Sequence, residues 1–266
     1  MNASPTFAFG KNWEEFIAQH FSEERAAIAS RHLLSFLRVS DLRGRTFLDV
    51  GCGSGLHSLA AVRAGASRVV SFDVDSDSVA ATARVRAASG APAHWTVLQG
   101  SVLDDAFMAA LDPADVVYAW GSLHHTGAMW TAIERTVGRI ASGGLVYLAL
   151  YTTDRHSESW VIRKRRYNLA PPTVKRLMEA RYVLVHAVAP DLLRLRNPMR
   201  RFREYKHSRG MAYLTDVRDW LGGYPFEHAR IEEVLRFCRD RFALDLVNIA
   251  TGEANTEYLF RRPALG

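Results

Sequence analysis

Residues 46–55 read TFLDVGCGSG, and this stretch constrains the fold more than any other. A short apolar run that closes on an acid, then on glycines at alternating positions, reads as a buried strand entering a tight turn. Residues 56–64 have the pattern of the helix that follows. Glycine in such a turn permits positive φ and lets a ligand lie against the main chain, while the free N–H groups of the helix start face that ligand. Spacing excludes two phosphate-binding turns. A P-loop needs Lys and Ser or Thr after its last glycine, where Leu56 and His57 stand, and a dinucleotide fingerprint needs a third glycine where Leu56 or Ser58 stands.

From there strands and helices alternate. Strands are expected at 46–50, 68–73, 94–99, 114–120 and 145–151, and helices at 56–64, 78–88, 105–111 and 128–140, the last stopping at Gly143-Gly144. That order implies right-handed crossovers and a parallel sheet covered on both faces, with ligands at the carboxyl ends of the strands. A helix at 231–242 and strands at 244–249 and 256–261, joined by the turn-rich ATGEAN, add an antiparallel hairpin. Two helical patterns, 12–21 and 23–37, precede the first strand, and Trp13, Phe16, Ile17, His20 and Phe21 give the earlier one an apolar face.

With 266 residues, 48% of them hydrophobic, the chain has enough material for one large α/β domain with an insertion. The first residues lack a basic start followed by an apolar core, and no run approaches the length of a membrane span, so a cytoplasmic protein with no transmembrane segment is expected. Cys52 and Cys238 are far apart and have no ligand pattern around them, so neither a metal site nor a disulfide is expected. The net charge of +6 is uneven. Residues 152–226, which the basic fold does not need, hold RKRRY at 163–167, then Arg194, Arg196, Arg200, Arg201, Arg203, Lys206 and Arg209. Pro171-Pro172, Pro190 and Pro198 should cut this segment into short helices. Following the fifth strand, it would overhang the edge where a substrate enters.

The pattern Asp49-x-Gly51-x-Gly53-x-Gly55, with RVVSFD ending the next strand on Asp73, resembles the class I S-adenosylmethionine-dependent methyltransferases. The resemblance implies a Rossmann-like, seven-stranded, mostly parallel sheet with the last strand antiparallel, helices on both faces and a helical insertion after strand five. Residues 41–151 and 227–266 would form the methyltransferase core, 1–40 would cover the cofactor site, and 152–226 would be an acceptor lid. It implies S-adenosylmethionine as cofactor. The loop around Gly51, Cys52 and Gly53 would hold the methionine portion, Asp49 would orient its ammonium group, and Asp73, followed by Val74, would accept the ribose hydroxyls. Ser101 and Val102 stand where the family recognises adenine, with Ser101 in place of the Asp that many members carry.

Strand four ends in AWGSLHHTG, similar to the quinone-pathway subgroup. That likeness puts Trp120 beside the cofactor and His124 and His125 towards the acceptor. Either histidine acts there as a base, or one of them bonds to backbone and shapes the loop. No Asn/Asp-Pro-Pro-Tyr pattern and no cysteine follows strand four, unlike enzymes that methylate exocyclic amines or pyrimidine C5. Phe9 to Trp13 would supply a wall at the cofactor. Tyr213, Trp220, Tyr224 and Phe226 either line an acceptor pocket or pack the insertion onto the sheet. Glu253 and Asn255, in the hairpin turn, would return to the cofactor edge. The expected acceptor is a small anionic or phosphate-bearing molecule passing an arginine-lined entrance. The alternatives are an RNA or protein methyltransferase that uses the basic insertion, and a non-catalytic or membrane-surface binding protein.

Overall fold

The computed structural model describes residues 23–200, 213–252 and 254–264. The segment 12–21, the Phe9 to Trp13 wall, Glu253, Arg201, Arg203, Lys206 and Arg209 lie outside those residues.

Seven strands form one sheet in the order β3-β2-β1-β4-β5-β7-β6. They are β1 (Thr46–Val50), β2 (Arg68–Asp73), β3 (Trp95–Gln99), β4 (Ala114–Trp120), β5 (Ile140–Tyr151), β6 (Asp245–Thr251) and β7 (Asn255–Arg261). Strands β1 to β5 run parallel, while β7 lies antiparallel to both β5 and β6. The chain moves outward through β1, β2 and β3, then returns to lay β4 beside β1. This reversal opens a crevice at the carboxyl ends of β1 and β4.

Side chains alternate across the sheet, so each strand feeds two cores. Val117, Ala119, Val146, Leu148 and Leu150 enter one core, with Ile133, Val137, Val234 and Cys238 from the helices. Val116, Tyr118, Leu145 and Tyr147 enter the other, with Leu33, Leu37 and Leu59. The helices over these faces are α1 (Glu23–Leu37), α2 (Leu56–Arg63), α3 (Ser76–Ala88), α4 (Asp105–Ala110), α5 (Met129–Val137) and α10 (Ile231–Phe242). In α1, Phe36 stacks on Tyr147 of β5 with ring centroids 4.3 Å apart.

Two expectations fail for local reasons. Helix α5 stops at Val137, and Gly143-Gly144 lies inside a twelve-residue β5 rather than ending a helix. The register of β5 against β4 shifts between Ala114 and Val116, and Gly143 has φ +72°, so this pair marks a bulge. Helix α3 begins at Ser76, two residues earlier than expected, because Asp75 caps it by accepting from the Asp77 N–H at 2.9 Å.

The insertion contributes α6 (Ser157–Leu169), α7 (Pro172–Val183), α8 (Ala189–Leu193) and α9 (Tyr213–Gly222). Pro190 does not cut it as expected. A π turn, Leu184–Val188, carries helical backbone from α7 into α8, the wider turn accommodating a residue that has no N–H to donate. Tyr167, Val217 and Leu221 form a small separate core, packed by Trp160, Met178, Tyr182 and Val183. Lys164, within the basic run, is buried. It donates to the Trp220 carbonyl and sits 4.1 Å from the Trp220 ring centroid and 4.7 Å from that of Phe226.

Candidate active site

Residues 51–55 are tied to β2. The N–H groups of Gly51 and Cys52 both donate to the Phe72 carbonyl, at 2.9 and 3.0 Å. The Gly53 N–H donates to Asp73 Oδ2 at 3.0 Å, and the Asp75 N–H donates to Asp73 Oδ1 at 3.0 Å. Gly51 has φ +75°, and a Cβ on it would lie 2.4 Å from the Ser122 Cβ, so only glycine lets the loop approach the end of β4. Cys52 is buried, with the Thr82 hydroxyl 3.3 Å from its sulfur. Burial pushes the thiol well above its usual range, which makes it a small core group rather than a nucleophile.

Asp49 lies beneath the loop, 2% exposed. It accepts from the Ser58 hydroxyl at 2.5 Å, and Ser58 in turn contacts Ser71 at 2.6 Å. Burial lifts the Asp49 carboxyl to about 7, against the pull of the Ser58 hydrogen bond. Desolvation also raises Asp73, against the backbone N–H groups that favour its charge. Two desolvated carboxylates beside a backbone cradle, with no Lys or Arg among the described lining residues, suit a ligand that brings its own positive charge and hydroxyl donors.

One cleft of about 1860 Å³ runs from these carboxylates to the insertion. The end nearest the glycine turn is lined by Asp49, Gly51, Cys52, Gly53, Asp73, Val74, Ser101, Val102 and Trp120. Val74 and Trp120 are exposed, and Val102 is buried. The Ser101 hydroxyl accepts from the Leu103 N–H at 3.1 Å, bracing its loop. His124, His125, Trp220, Phe226 and Asn255 line the far end. Tyr224 is half-buried and does not line the cleft, and Tyr213 is described only as the first residue of α9.

The two histidines differ. The His125 Nδ1–H donates to the Pro225 carbonyl at 2.6 Å, leaving the lone pair of the neutral ring on Nε2, and burial pushes this imidazole down to about 4. His124 is 1% exposed, and its Nδ1 has no partner among the described residues. Burial, with His125 and Lys164 nearby, holds it well below the usual histidine range. Both rings are therefore neutral at pH 7, equipped to hold an O–H or N–H rather than to carry charge. Tyr151 packs against both, 3.9 Å from His124 and 5.5 Å from His125 between ring centroids.

Several lining residues carried no sequence signal. Glu257 accepts from the Trp120 indole at 3.0 Å and the Tyr147 hydroxyl at 2.6 Å, with His32 Nε2 3.6 Å away. His57 packs 4.9 Å from Tyr118, and burial lowers it to about 4. Tyr151, Trp160 and Tyr182 join Trp220 and Phe226 as an aromatic wall. Besides His124 Nδ1, the Tyr118 hydroxyl, Trp220 Nε1 and Asn255 Oδ1 are buried polar atoms without partners among the described residues. The expected arginine-lined entrance is not found among the described residues: the lining contains Asp49, Asp73, Asp75, Asp154 and Glu257 but no Lys or Arg.

Residues 47–144, which span β1 to β4 and enter β5, match the model of a methyltransferase domain family. The matched residues form a class I, S-adenosylmethionine-dependent methyltransferase domain. Its cofactor, S-adenosylmethionine, supplies a methyl group on a sulfonium centre. Among curated proteins, the chain is 28% identical over 200 residues to a tRNA U34 carboxymethyltransferase of a Shewanella species, covering 70% of this chain and 58% of that protein. It is also 28% identical over 113 residues to a ribosomal protein L11 methyltransferase of Aliivibrio salmonicida, covering 42% of this chain and 38% of that one. The chain thus spans less than two thirds of either relative. The fold is similar to an O-methyltransferase family protein of Burkholderia thailandensis, with TM-score 0.58 at 15% identity over 96% of this chain and 60% of that one. Among the described residues no helix is long and apolar enough to cross a membrane.

Proposed function

We propose that this chain transfers a methyl group from S-adenosylmethionine to a small, planar organic acceptor bearing an O–H or N–H, held against the aromatic wall. The observation that carries this reading is the single cleft whose two ends differ in chemistry. A cleft of about 1860 Å³ exceeds the roughly 300–1,000 Å³ of a one-ligand pocket and leaves room for donor and acceptor together. The donor occupies the end built from Asp49, residues 51–53, Asp73, Ser101 and Val102, where Asp49 meets its ammonium and Asp73 its ribose hydroxyls. Displacement at a sulfonium is in-line, so the chain acts mainly by positioning.

His124 is the residue that receives the acceptor. Its unpartnered Nδ1 takes a hydrogen bond from the acceptor O–H or N–H and turns a lone pair of that atom towards the methyl group. His125 is bonded to the Pro225 carbonyl and shapes the loop. The absence of Lys and Arg from the described lining favours an uncharged acceptor over the anionic one expected from composition.

The test is calorimetric titration with S-adenosylhomocysteine, followed by labelled-donor assays on planar phenols and their phosphate esters. The free phenols should be methylated and the esters not, and His124→Ala should slow transfer without weakening donor binding. A folded protein that does not bind S-adenosylhomocysteine refutes the donor assignment, and faster transfer to the esters refutes the acceptor assignment. A second reading, methylation of RNA, draws on the exposed arginines of α6 and on the Shewanella relative. It requires binding to bulk tRNA that weakens steeply with salt.

A further inference from the structure

The insertion has two apolar sides. The inner side is the small core around Tyr167, Val217 and Leu221. The outer side faces solvent: of the fourteen large hydrophobic side chains exposed among the described residues, nine lie between Ile162 and Met199. Along the helical run of α7, the π turn and α8, Leu177, Leu184 and Leu192 are 69%, 55% and 57% exposed. They stand seven and eight residues apart, and the longer interval spans the π turn, whose wider winding takes up one extra residue and keeps all three on one stripe. Ile162 and Leu169 of α6, also seven apart, are exposed in the same way, and Leu195 beyond α8 is 97% exposed.

Basic side chains flank this ridge. Arg163, Arg165, Arg166, Arg176, Arg181, Arg194 and Arg196 are exposed. Of the three acids between residues 157 and 200, Glu179 and Asp191 are buried, leaving Glu158 alone exposed. Aliphatic ridges with an arginine fringe match the layered chemistry of an anionic lipid surface: leucines enter the acyl boundary while guanidinium groups stay at the phosphates. RNA would draw on aromatic stacking platforms instead, and the exposed apolar groups here are Leu, Ile, Val and Met. A second copy would bring the same positive fringe and be repelled. We propose that the outer face of the insertion docks this protein on an anionic membrane surface, lying on the bilayer rather than spanning it. The inference rests on this surface alone and is independent of which acceptor the cleft receives.

Co-sedimentation of the full chain with phosphatidylglycerol–phosphatidylcholine vesicles, against pure phosphatidylcholine, tests it. Binding to the anionic vesicles should exceed that to neutral ones by about tenfold or more. A Leu177→Ser/Leu184→Ser variant and an Arg176→Glu/Arg181→Glu variant should each lose about tenfold or more of it. Because all four side chains are exposed, both variants should keep the thermal unfolding midpoint and the affinity for S-adenosylhomocysteine. Failure to pellet with anionic vesicles overturns the proposal, as does equal binding to neutral ones. So does salt-sensitive binding to bulk RNA without vesicle binding, or a dimer by light scattering that the leucine variant abolishes.

Discussion

Asp49 offers a sharp test of the donor site because its titration lies within the working pH range. Its carboxyl, lifted to about 7 by burial, is half protonated at neutral pH before any ligand arrives. An ammonium group placed against it favours the ionised form and pulls that value down, so binding releases a proton. By linkage, donor affinity rises with pH while the free carboxyl ionises and levels off above pH 7. For a free value of about 7, affinity for S-adenosylhomocysteine at pH 6 should be about tenfold below that at pH 8, and calorimetry at pH 7 in buffers of different ionisation enthalpy should record about half a proton released. Asp49→Asn should bind more weakly at pH 8 and show no such slope. In the unliganded protein the sign reverses. A folded value raised from 3.8 to about 7 costs stability as pH climbs through that interval, up to about 4 kcal/mol. Asp49→Asn, which can still accept from Ser58, should therefore unfold at a higher temperature than wild type at pH 8 and lose that advantage at pH 4. A flat affinity profile between pH 6 and 8, or the same slope in wild type and variant, would refute this account of the loop floor.

Three further outcomes follow from the geometry. Asp73→Ala should weaken S-adenosylhomocysteine binding by roughly 100-fold or more by calorimetry, since two charge-assisted hydrogen bonds at about 1.5–3 kcal/mol each are removed, and binding within threefold of wild type in a folded variant would contradict it. Gly51→Ala combines φ +75° with a Cβ 2.4 Å from that of Ser122, whereas Gly90→Ala, at φ +86°, meets nothing within 4 Å. In urea unfolding the first should cost about 3 kcal/mol or more and the second about 1. His57 and His125 titrate near 4 in the folded protein but near 6.5 when unfolded, so the unfolded chain binds more protons between those values. Stability present above pH 6.5 should fall as pH drops towards 4, and His57→Gln should reduce that slope in thermal scans.

The end of the cleft at the glycine turn was readable because its residues are contiguous. Asp49, the glycine turn and Asp73 all fall where one strand–turn–helix–strand unit puts them, and their spacing alone excludes the phosphate loops. The parallel sheet was readable from the same alternation. The far end was readable only in part: His124, His125, Trp220, Phe226 and Asn255 were expected at a site and line it, whereas the rest meet only across the sheet or across the insertion. Glu257 is one acid in an otherwise unremarkable strand, and its bonds to Trp120 and Tyr147 cross strand boundaries that carry no sequence trace. Phe226 and Tyr224 are equally aromatic, yet only Phe226 lines the cleft, because residue type does not say which way an irregular segment aims its side chains. Lys164 is hidden inside a basic run, though Trp160, Lys164 and Tyr167 share the helical spacing of an inward face. Composition placed arginines at the entrance, whereas the described ones stand on the outside of the same helices.

The split between the two ends of the cleft also divides the molecule by sequence distance. The donor-end residues from Asp49 to Val102 come from one half of the chain, and their ties to one another, loop to β2 and helix to floor, are short-range. The far wall needs Tyr151, Trp160, Trp220, Phe226 and Asn255, drawn from a strand end, two insertion helices, a loop and the final hairpin. A chain arranged this way can exchange its far wall while the glycine turn stays intact, since among the described residues no hydrogen bond that positions Asp49, Gly53 or Asp73 comes from the insertion. Under the proposed function, replacing residues 152–226 would therefore change what is methylated and leave untouched the means of methylating it.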